Sequence, residues 1–196
     1  MTRSTALASF PPGMTPGQRD TILDARQLER TLQRIASEIL QFATTPDTLV
    51  LVGIQRRGAE LAERLAKMIE AKRKTRISRG AIDITLYRDD LEVIGPKPIV
   101  GQTRIPDDLN GRTVVIVDDV LYTGRTVRAA MEELNNFGRP ARIGLAVLVD
   151  RGGRELPIQA DIVGKTVAAK PGDRVDVLLE EVDGKDGVTL VRGARP

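Results

Sequence analysis

The sequence predicts an α/β fold: a central, mostly parallel sheet flanked by helices. Three observations carry that prediction. Largely apolar runs at 48–54, 114–117 and 142–149 have strand length and read as strands covered on both faces, as parallel sheets require. Segments of helical period stand between them, which makes βαβ units. The connections after the first two runs bring charged residues and glycine to the start of a helix, where ligands of open α/β sheets bind.

The elements follow in order. Residues 1–20 are read as a disordered tail ahead of one folded domain, 21–196. The stretch from Met1 to Gly17 is rich in Thr, Ser, Pro and Gly and lacks the apolar core of a signal peptide. Leu28, Leu32, Ile35 and Ile39 recur at spacings of four, three and four, which predicts a helix over 24–42 with Asp24 as its cap. The buried strand 48–54 comes next. Gln55-Arg56-Arg57-Gly58 then opens a helix whose inner face is Ala62, Leu65, Ala66 and Ile69. Residues 81–88 alternate, with Ile82, Ile84 and Leu86 against Asp83, Thr85 and Tyr87, as in a strand with one wetter face. Residues 89–112 hold three prolines and three glycines and form a long connection of a kind that is functional or disordered. A strand at 113–118 leads into a helix marked by Val127, Ala130, Met131 and Leu134 and closed by Gly138 and Pro140. The strand at 142–149 follows, then shorter strands at 161–163 and 174–179. A hairpin-like turn at 182–187 ends the ordered part. No internal repeat is present.

The chemistry concentrates in 114–126. Four apolar residues run into the adjacent carboxylates Asp118 and Asp119, and Thr123-Gly124-Arg125-Thr126 then opens a helix. Carboxylates at the end of a strand are placed to accept hydrogen bonds from sugar hydroxyls. The loop brings backbone N–H groups, two threonine hydroxyls and a guanidinium to a helix N-terminus, which favours phosphate. Together they describe a ribose 5-phosphate site. Arg56 and Arg57, at the start of the preceding helix, suit a multiply charged anion. On residues alone, an exposed arginine pair at a helix start is an equal reading.

Composition narrows the classes. The chain has 196 residues, no cysteine and no histidine. No Cys nucleophile, disulfide, Cys/His zinc site or imidazole base is available. Any metal must be held by oxygens, which points to Mg²⁺. Transfer chemistry that runs on positioning and electrostatics fits this inventory. No apolar run is long enough for a membrane span, so the expectation is a cytoplasmic protein with no membrane partner. The net charge is +3, but Lys72, Arg73, Lys74, Arg76 and Arg79 bunch, and Arg139, Arg142, Arg151 and Arg154 form a looser set. Such groups are a solvated surface or a face for a polyanion such as RNA.

With those residues in view, 114–126 resembles the phosphoribosyl-pyrophosphate (PRPP) signature of type I phosphoribosyltransferases. The wording Asp118-Asp119-Val120-Leu121-Tyr122-Thr123-Gly124-Arg125-Thr126 resembles one family, the PyrR proteins, which are pyrimidine-operon attenuation regulators and uracil phosphoribosyltransferases. The resemblance covers most of 22–192. It implies the type I phosphoribosyltransferase fold, with a small hood and a flexible lid loop. It implies that Asp118 and Asp119 are catalytic and hold the ribose hydroxyls directly or through water on Mg²⁺. Thr123, Gly124, Arg125 and Thr126 would grip the 5-phosphate. Arg56, Arg57 and Gly58 would form the pyrophosphate loop, where the family usually has Thr-Arg-Gly. The run from Asp83 to Leu91 matches the family almost word for word and leads into the lid, so Arg88 and Arg104 are candidates to reach pyrophosphate, with a polar surface loop as the other reading.

The resemblance also bears on the base and on RNA. The hood segment implies that Ile162 and Val163 orient the base. Tyr122 stands where many 6-oxopurine enzymes carry Asp, which favours uracil, and the expected product is UMP. Family members bind a pyrimidine-operon mRNA leader when UMP is present, which makes Arg34, Arg154 and Lys165 candidates for RNA. This chain departs from the family pattern with Ser37 and Gly153 in place of His, Gln159 in place of Arg, and Thr166 to Lys170 in place of Asn-x-Pro-Thr-Ser. Lost cations weaken phosphate contacts. Four readings follow: a uracil phosphoribosyltransferase with RNA control, the same enzyme with little RNA function, a nucleotide-sensing RNA-binding regulator with little catalysis, or a purine phosphoribosyltransferase. A homo-oligomer, dimer or larger, is expected by resemblance.

Overall fold

A computed structural model of the chain describes residues 17–43, 45–84, 103–106 and 108–193. Its centre is a five-stranded parallel sheet of β2 (Leu49–Ile54), β3 (Ser78–Ile82), β4 (Thr113–Leu121), β5 (Arg142–Asp150) and β6 (Ile162–Thr166), in the order β3-β2-β4-β5-β6. The mostly parallel α/β expectation is met. The chain leaves β2 toward β3 on one side and returns through β4, β5 and β6 on the other. The connections diverge between β2 and β4, and the crevice at such a switch point is where ligands of open sheets bind.

The helices are α1 (Ala25–Phe42), α2 (Arg57–Arg73), α3 (Arg125–Leu134) and the single turn α4 (Glu180–Asp183). α1 buries Leu28, Leu32, Ile35, Ala36 and Ile39, the stripe its spacing predicts. Asp24 caps it as expected, and Gln27 completes a capping box: Gln27 N–H donates to Asp24 Oδ1 at 2.8 Å, and Asp24 N–H donates to Gln27 Oε1 at 2.9 Å. The sheet has a core on each face. Leu49, Leu51, Val115 and Val117 pack under α1 and α2, while Val50, Val52, Val114 and Ile116 pack with Val127, Ala130 and Leu134 of α3 on the other face. Each fully buried Leu, Ile or Val contributes about 1.5–3 kcal/mol.

Four boundaries differ from the sequence expectation, and strand pairing explains each. β3 begins at Ser78 and ends at Ile82, because its one neighbour β2 ends at Ile54, the partner of Ile82. The alternation at Asp83 and Ile84 therefore has no strand to pair with, and Thr85–Arg88 lies outside the described residues. β4 continues past Asp118 to Leu121, because β5 pairs with it through Asp150. At the chain ends, β1 (Arg19–Leu23), β8 (Gly187–Val191) and β7 (Arg174–Leu178) form an antiparallel sheet with β8 in the middle. β1 thus starts within the stretch read as a tail, of which 1–16 lies outside the described residues. The 182–187 stretch does join two antiparallel strands, but through α4 rather than a tight turn, and order runs on into β8. Val188 and Leu190 are buried there and were too few to signal a strand.

Candidate active site

The site is built at the switch point by the connections that leave β2 and β4. Two glycines let them meet. A Cβ on Gly53 would stand 2.3 Å from the Gly58 carbonyl oxygen, and one on Gly58 would stand 2.5 Å from the Val117 carbonyl oxygen and 3.3 Å from Asp118 Cα. Only bare backbone allows the first turn of α2 to lie against β4 at the acidic pair. Gly58 is therefore a close-approach glycine, a reason the sequence did not disclose.

Asp118 and Asp119 lie near the carboxyl end of β4. Side-chain alternation slips across them: Val117 and Val120 both pack toward the α1/α2 core, whereas Leu121 joins Ile116 on the α3 side. Asp118 is only 6% exposed. Its Oδ1 accepts the Asp119 N–H at 2.9 Å, and Asp119 Oδ1 accepts the Val120 N–H at 2.9 Å. Burial holds the Asp118 carboxyl well above the usual carboxylate range, and the adjacent Asp119 charge pushes it the same way. Burial raises Asp119 as well, against the pull of its hydrogen bonds and of the Arg57 charge. This pair is short of positive charge and is primed for a cationic or hydroxyl-rich ligand.

The Thr123–Thr126 loop follows at once. Gly124 takes φ +93° as the N-cap of α3 and brings no side chain to that helix start, while Thr123 Oγ1 accepts the Arg125 N–H at 3.3 Å. A helix start of this kind suits an anion. The connection 151–161 folds back over it: Glu155 and Leu156 N–H groups donate to the Thr123 carbonyl at 3.0 and 3.1 Å. Arg125 forms an ion pair with Glu155 at 2.8 Å. Arg154 clasps the same turn from inside. Its guanidinium donates to the carbonyls of Ile158 and Tyr122 and to Asp150 Oδ2, at 2.9, 2.8 and 2.6 Å. Tyr122 is 45% exposed at the mouth of the site, with the Arg151 guanidinium 4.0 Å from its ring centre. Gly153 has φ +79°, and a Cβ there would stand 2.4 Å from Tyr122 Cε2, so the departure from His at 153 goes with close seating of that ring.

Arg57 comes to the acidic pair from α2, close enough for its charge and that of Asp119 to be felt mutually. Arg56 lines a cavity of about 440 Å³ with Gln55, Ala59, Glu60, Glu181 and Val182 beside that loop. Arg104 stands elsewhere: its backbone bridges to Ala81 at the outer edge of β3, two strands from Asp118. Arg88 and most of the expected lid lie outside the described residues. Ile162 and Val163 belong to the edge strand β6, not to a separate hood. Ile162 is buried in the core and the Val163 carbonyl accepts from Arg34 Nη2 at 2.9 Å, so neither side chain nor carbonyl is spare. Arg34 also pairs with Glu38 and bonds the Gly164 carbonyl. Lys165 is exposed. Lys72, from the basic cluster, reaches α1 and donates to Ser37 Oγ at 2.8 Å.

Sequence reading missed the acidic turn behind Arg57. Asp183 Oδ1 and Oδ2 accept Arg57 Nη2 and Nε at 2.8 and 3.2 Å, and Arg64 is gripped by Glu181 and Asp186. These partners are separated by more than a hundred residues, so no local spacing announces them. Hydrogen bonds from Arg57 hold the Asp183 carboxyl below the usual range, and those from Arg64 do the same for Asp186 and Glu181. All three groups bind protons more weakly folded than unfolded. They stabilise the fold fully above the unfolded carboxylate range, about pH 4, and lose that contribution as pH falls through their lower folded values. The melting temperature should therefore drop steeply below about pH 4. The double variant Asp183→Asn/Asp186→Asn should flatten that drop, and an unchanged acid profile would refute this account.

Metal-binding capacity follows from the donors. Among the described residues no group of three or more His, Cys, Asp or Glu side chains could cage an ion. Two adjacent carboxylates fit an ion such as Mg²⁺ that takes one or two protein oxygens and completes its shell with substrate and water. Among the described residues, no helix is long and apolar enough to cross a membrane.

Comparison with known proteins agrees with this geometry. A family model described as the phosphoribosyl transferase domain matches residues 18–172. The chain is 56% identical to the bifunctional protein PyrR of a Roseiflexus species over 172 residues, covering 87% of this chain and 94% of that one. It is 53% identical to the protein of the same name from Thermus aquaticus over 169 residues, 86% of this chain and 93% of the relative. Among solved structures, a ternary substrates complex of hypoxanthine phosphoribosyltransferase from Trypanosoma cruzi superposes with a TM-score of 0.67 at 18% identity, over 90% of this chain and 96% of that one. At that identity the likeness speaks for the fold alone.

Proposed function

The chain belongs to the phosphoribosyl transferase domain family and to its PyrR group, and on that premise we propose that it transfers the phosphoribosyl group of PRPP to uracil, giving UMP and pyrophosphate. The observation that carries the reading is the Asp118-Asp119 pair at the sheet's switch point, Asp118 buried and Asp119 half-buried, between the N-terminus of α3 and the arginine of the neighbouring loop.

Each residue then has a task. Asp118 and Asp119 accept hydrogen bonds from the ribose hydroxyls. Thr123, Gly124, Arg125 and Thr126 hold the 5-phosphate at the start of α3. Arg57, with Arg56 and the Gly58 backbone, faces the pyrophosphate. Uracil N1 bonds to C1 of the sugar as the C1–oxygen bond to pyrophosphate breaks and its electron pair leaves with that oxygen. The N1 proton is taken up by water as that bond forms. Mg²⁺, held by Asp118 and Asp119 through water, would supply positive charge for the leaving pyrophosphate. Tyr122 borders the base side, and the edge strand β6 with Ile162 and Val163 backs it. Arg88 and Arg104 belong to the segment that would close over the substrate and keep water from the activated sugar.

The same molecule is proposed to bind the pyrimidine-operon mRNA leader when UMP is present. Lys165 and the Lys72 cluster beside α1 are its exposed cations. Arg34, whose side chain is 47% exposed, and Arg154, bonded to the Tyr122 and Ile158 carbonyls and to Asp150, are the further candidates. A cytoplasmic homodimer or larger assembly is the expected form.

The test is nucleotide formation from PRPP and Mg²⁺ with uracil, hypoxanthine, guanine and orotate in parallel. UMP from uracil alone supports the reading, and a purine product replaces it with the purine enzyme. Tight PRPP binding without product makes the protein a nucleotide-sensing regulator. For RNA, binding of a leader transcript should strengthen with UMP and weaken with salt. Indifference to UMP would remove the regulatory half.

A further inference from the structure

The loop that carries Arg57 is held from behind by a part of the chain that contributes nothing to the PRPP signature. α4, which joins β7 to β8, turns three carboxylates onto one face of α2. Asp183 takes the Nη2 and Nε edge of Arg57 at 2.8 and 3.2 Å. Glu181 and Asp186 take Arg64, two turns further along, at distances from 2.5 to 2.9 Å. Three bidentate guanidinium–carboxylate contacts, one at Arg57 and two at Arg64, hold the same helix face in place. α4 is itself braced, since Asp183 Oδ2 accepts the Leu179 N–H and Asp186 Oδ1 accepts the Glu180 N–H, at 2.9 and 2.8 Å.

The fork leaves one corner of Arg57 open. With Nε and Nη2 turned to Asp183, no described residue partners Nη1. The side chain remains 34% exposed and lies within electrostatic reach of Asp119. A flexible arginine at a loop start would lose rotamer freedom on each encounter with substrate. Here that ordering is complete before substrate arrives.

We propose that Asp183 is a positioning residue for the pyrophosphate end of the site: it occupies one edge of the Arg57 guanidinium and presents the other edge to the leaving group. The inference rests on the proposed phosphoribosyl transfer and names a residue that the signature motif does not contain. Asp183 touches no substrate atom and acts through Arg57. The Arg64 arm of the clamp, with Asp186, anchors the helix and does not orient the reacting groups.

The two arms make the test selective. Asp183→Asn keeps an acceptor for the Leu179 N–H while removing the charge that holds Arg57. Asp186→Asn loosens the Arg64 arm and leaves Arg57 gripped. In steady-state assays of UMP formation, Asp183→Asn should raise the KM for PRPP about tenfold, and the KM for pyrophosphate in the reverse direction likewise, while kcat and the uracil KM change by less than about twofold. Asp186→Asn should lower the melting temperature and leave the PRPP KM within about twofold. Equal rises in both variants, an unchanged PRPP KM in Asp183→Asn, or a matching rise in the uracil KM would each overturn the assignment. If Asp183→Asn does not fold, Asp183→Glu takes its place; a PRPP KM raised about threefold supports the role and an unchanged one overturns it. If the wild-type protein makes no UMP, the proposed reaction fails on its own. The clamp is then judged by calorimetric PRPP affinity of the same variants, with a tenfold loss confined to Asp183→Asn supporting it and equal affinities overturning it.

Discussion

Asp118→Asn is expected to reduce UMP formation by about a hundredfold or more, the loss that accompanies removal of one preorganised polar contact in a transition state, and at the same time to make the protein harder to unfold. The two effects share a cause. Asp118 is buried beside another carboxylate and is held well above the usual carboxylate range by that burial and by the Asp119 charge. A group that binds its proton more tightly in the folded state opposes folding as pH rises into the range where the unfolded chain has already ionised. At neutral pH the carboxylate pair is therefore a standing cost to the fold. An asparagine oxygen still accepts the Asp119 N–H but carries no charge. The melting temperature should rise by about 2–4 °C, the shift that about 1 kcal/mol gives a domain of this size. Asp119→Asn should behave in the same direction with a smaller thermal gain, because the Arg57 charge already opposes its rise. Thermal melts alongside turnover measurements check both halves. A variant that loses activity and melts earlier would mean that the pair braces the strand rather than serving a ligand. Near-normal turnover in the double variant would remove these residues from the chemistry.

Gly58→Ala is expected to disturb the fold and the site together. The new carbon would stand 2.5 Å from the Val117 carbonyl oxygen, with Asp118 Cα at 3.3 Å. Both neighbours are backbone atoms in the middle of the sheet, so no side chain can swing aside. α2 must lift from β4, which separates buried Leu61 and Leu65 from Val115 and Val117. Overpacking of this kind costs about 1–3 kcal/mol and more where the backbone cannot yield, so a fall in melting temperature of about 5–10 °C is expected. The same displacement carries Arg57 away from Asp119. The PRPP KM should therefore rise even in the fraction that remains folded. Melting unchanged within a degree would show that α2 and β4 are not pressed together as the backbone distances require.

The α/β architecture was legible because its signals are local. A six-residue apolar run such as Leu49–Ile54 has to be covered on both faces, and the spacing of Leu28, Leu32, Ile35 and Ile39 admits one helical face. Asp118, Asp119 and the Thr123–Thr126 loop were legible for the same reason, since strand, acidic pair, loop and helix are contiguous. β1 and β8 were not, because five residues with two or three apolar positions carry little pattern, and each becomes a strand only by pairing with the other end of the chain.

Composition and local order alone disclose the chemistry on offer: oxygen donors for a metal, an acidic pair at a strand's end, a Gly-containing loop at a helix start, and the family to which those words belong. Which of these charges other parts of the chain engage emerges only from the fold. Arg154 and Arg34, read as cations for RNA, are held by protein carbonyls and carboxylates, and Arg57 is aimed by an aspartate 126 positions away. A charge's availability depends on the partners that folding brings within hydrogen-bond reach, and the spacing of residues along a chain does not encode those partners.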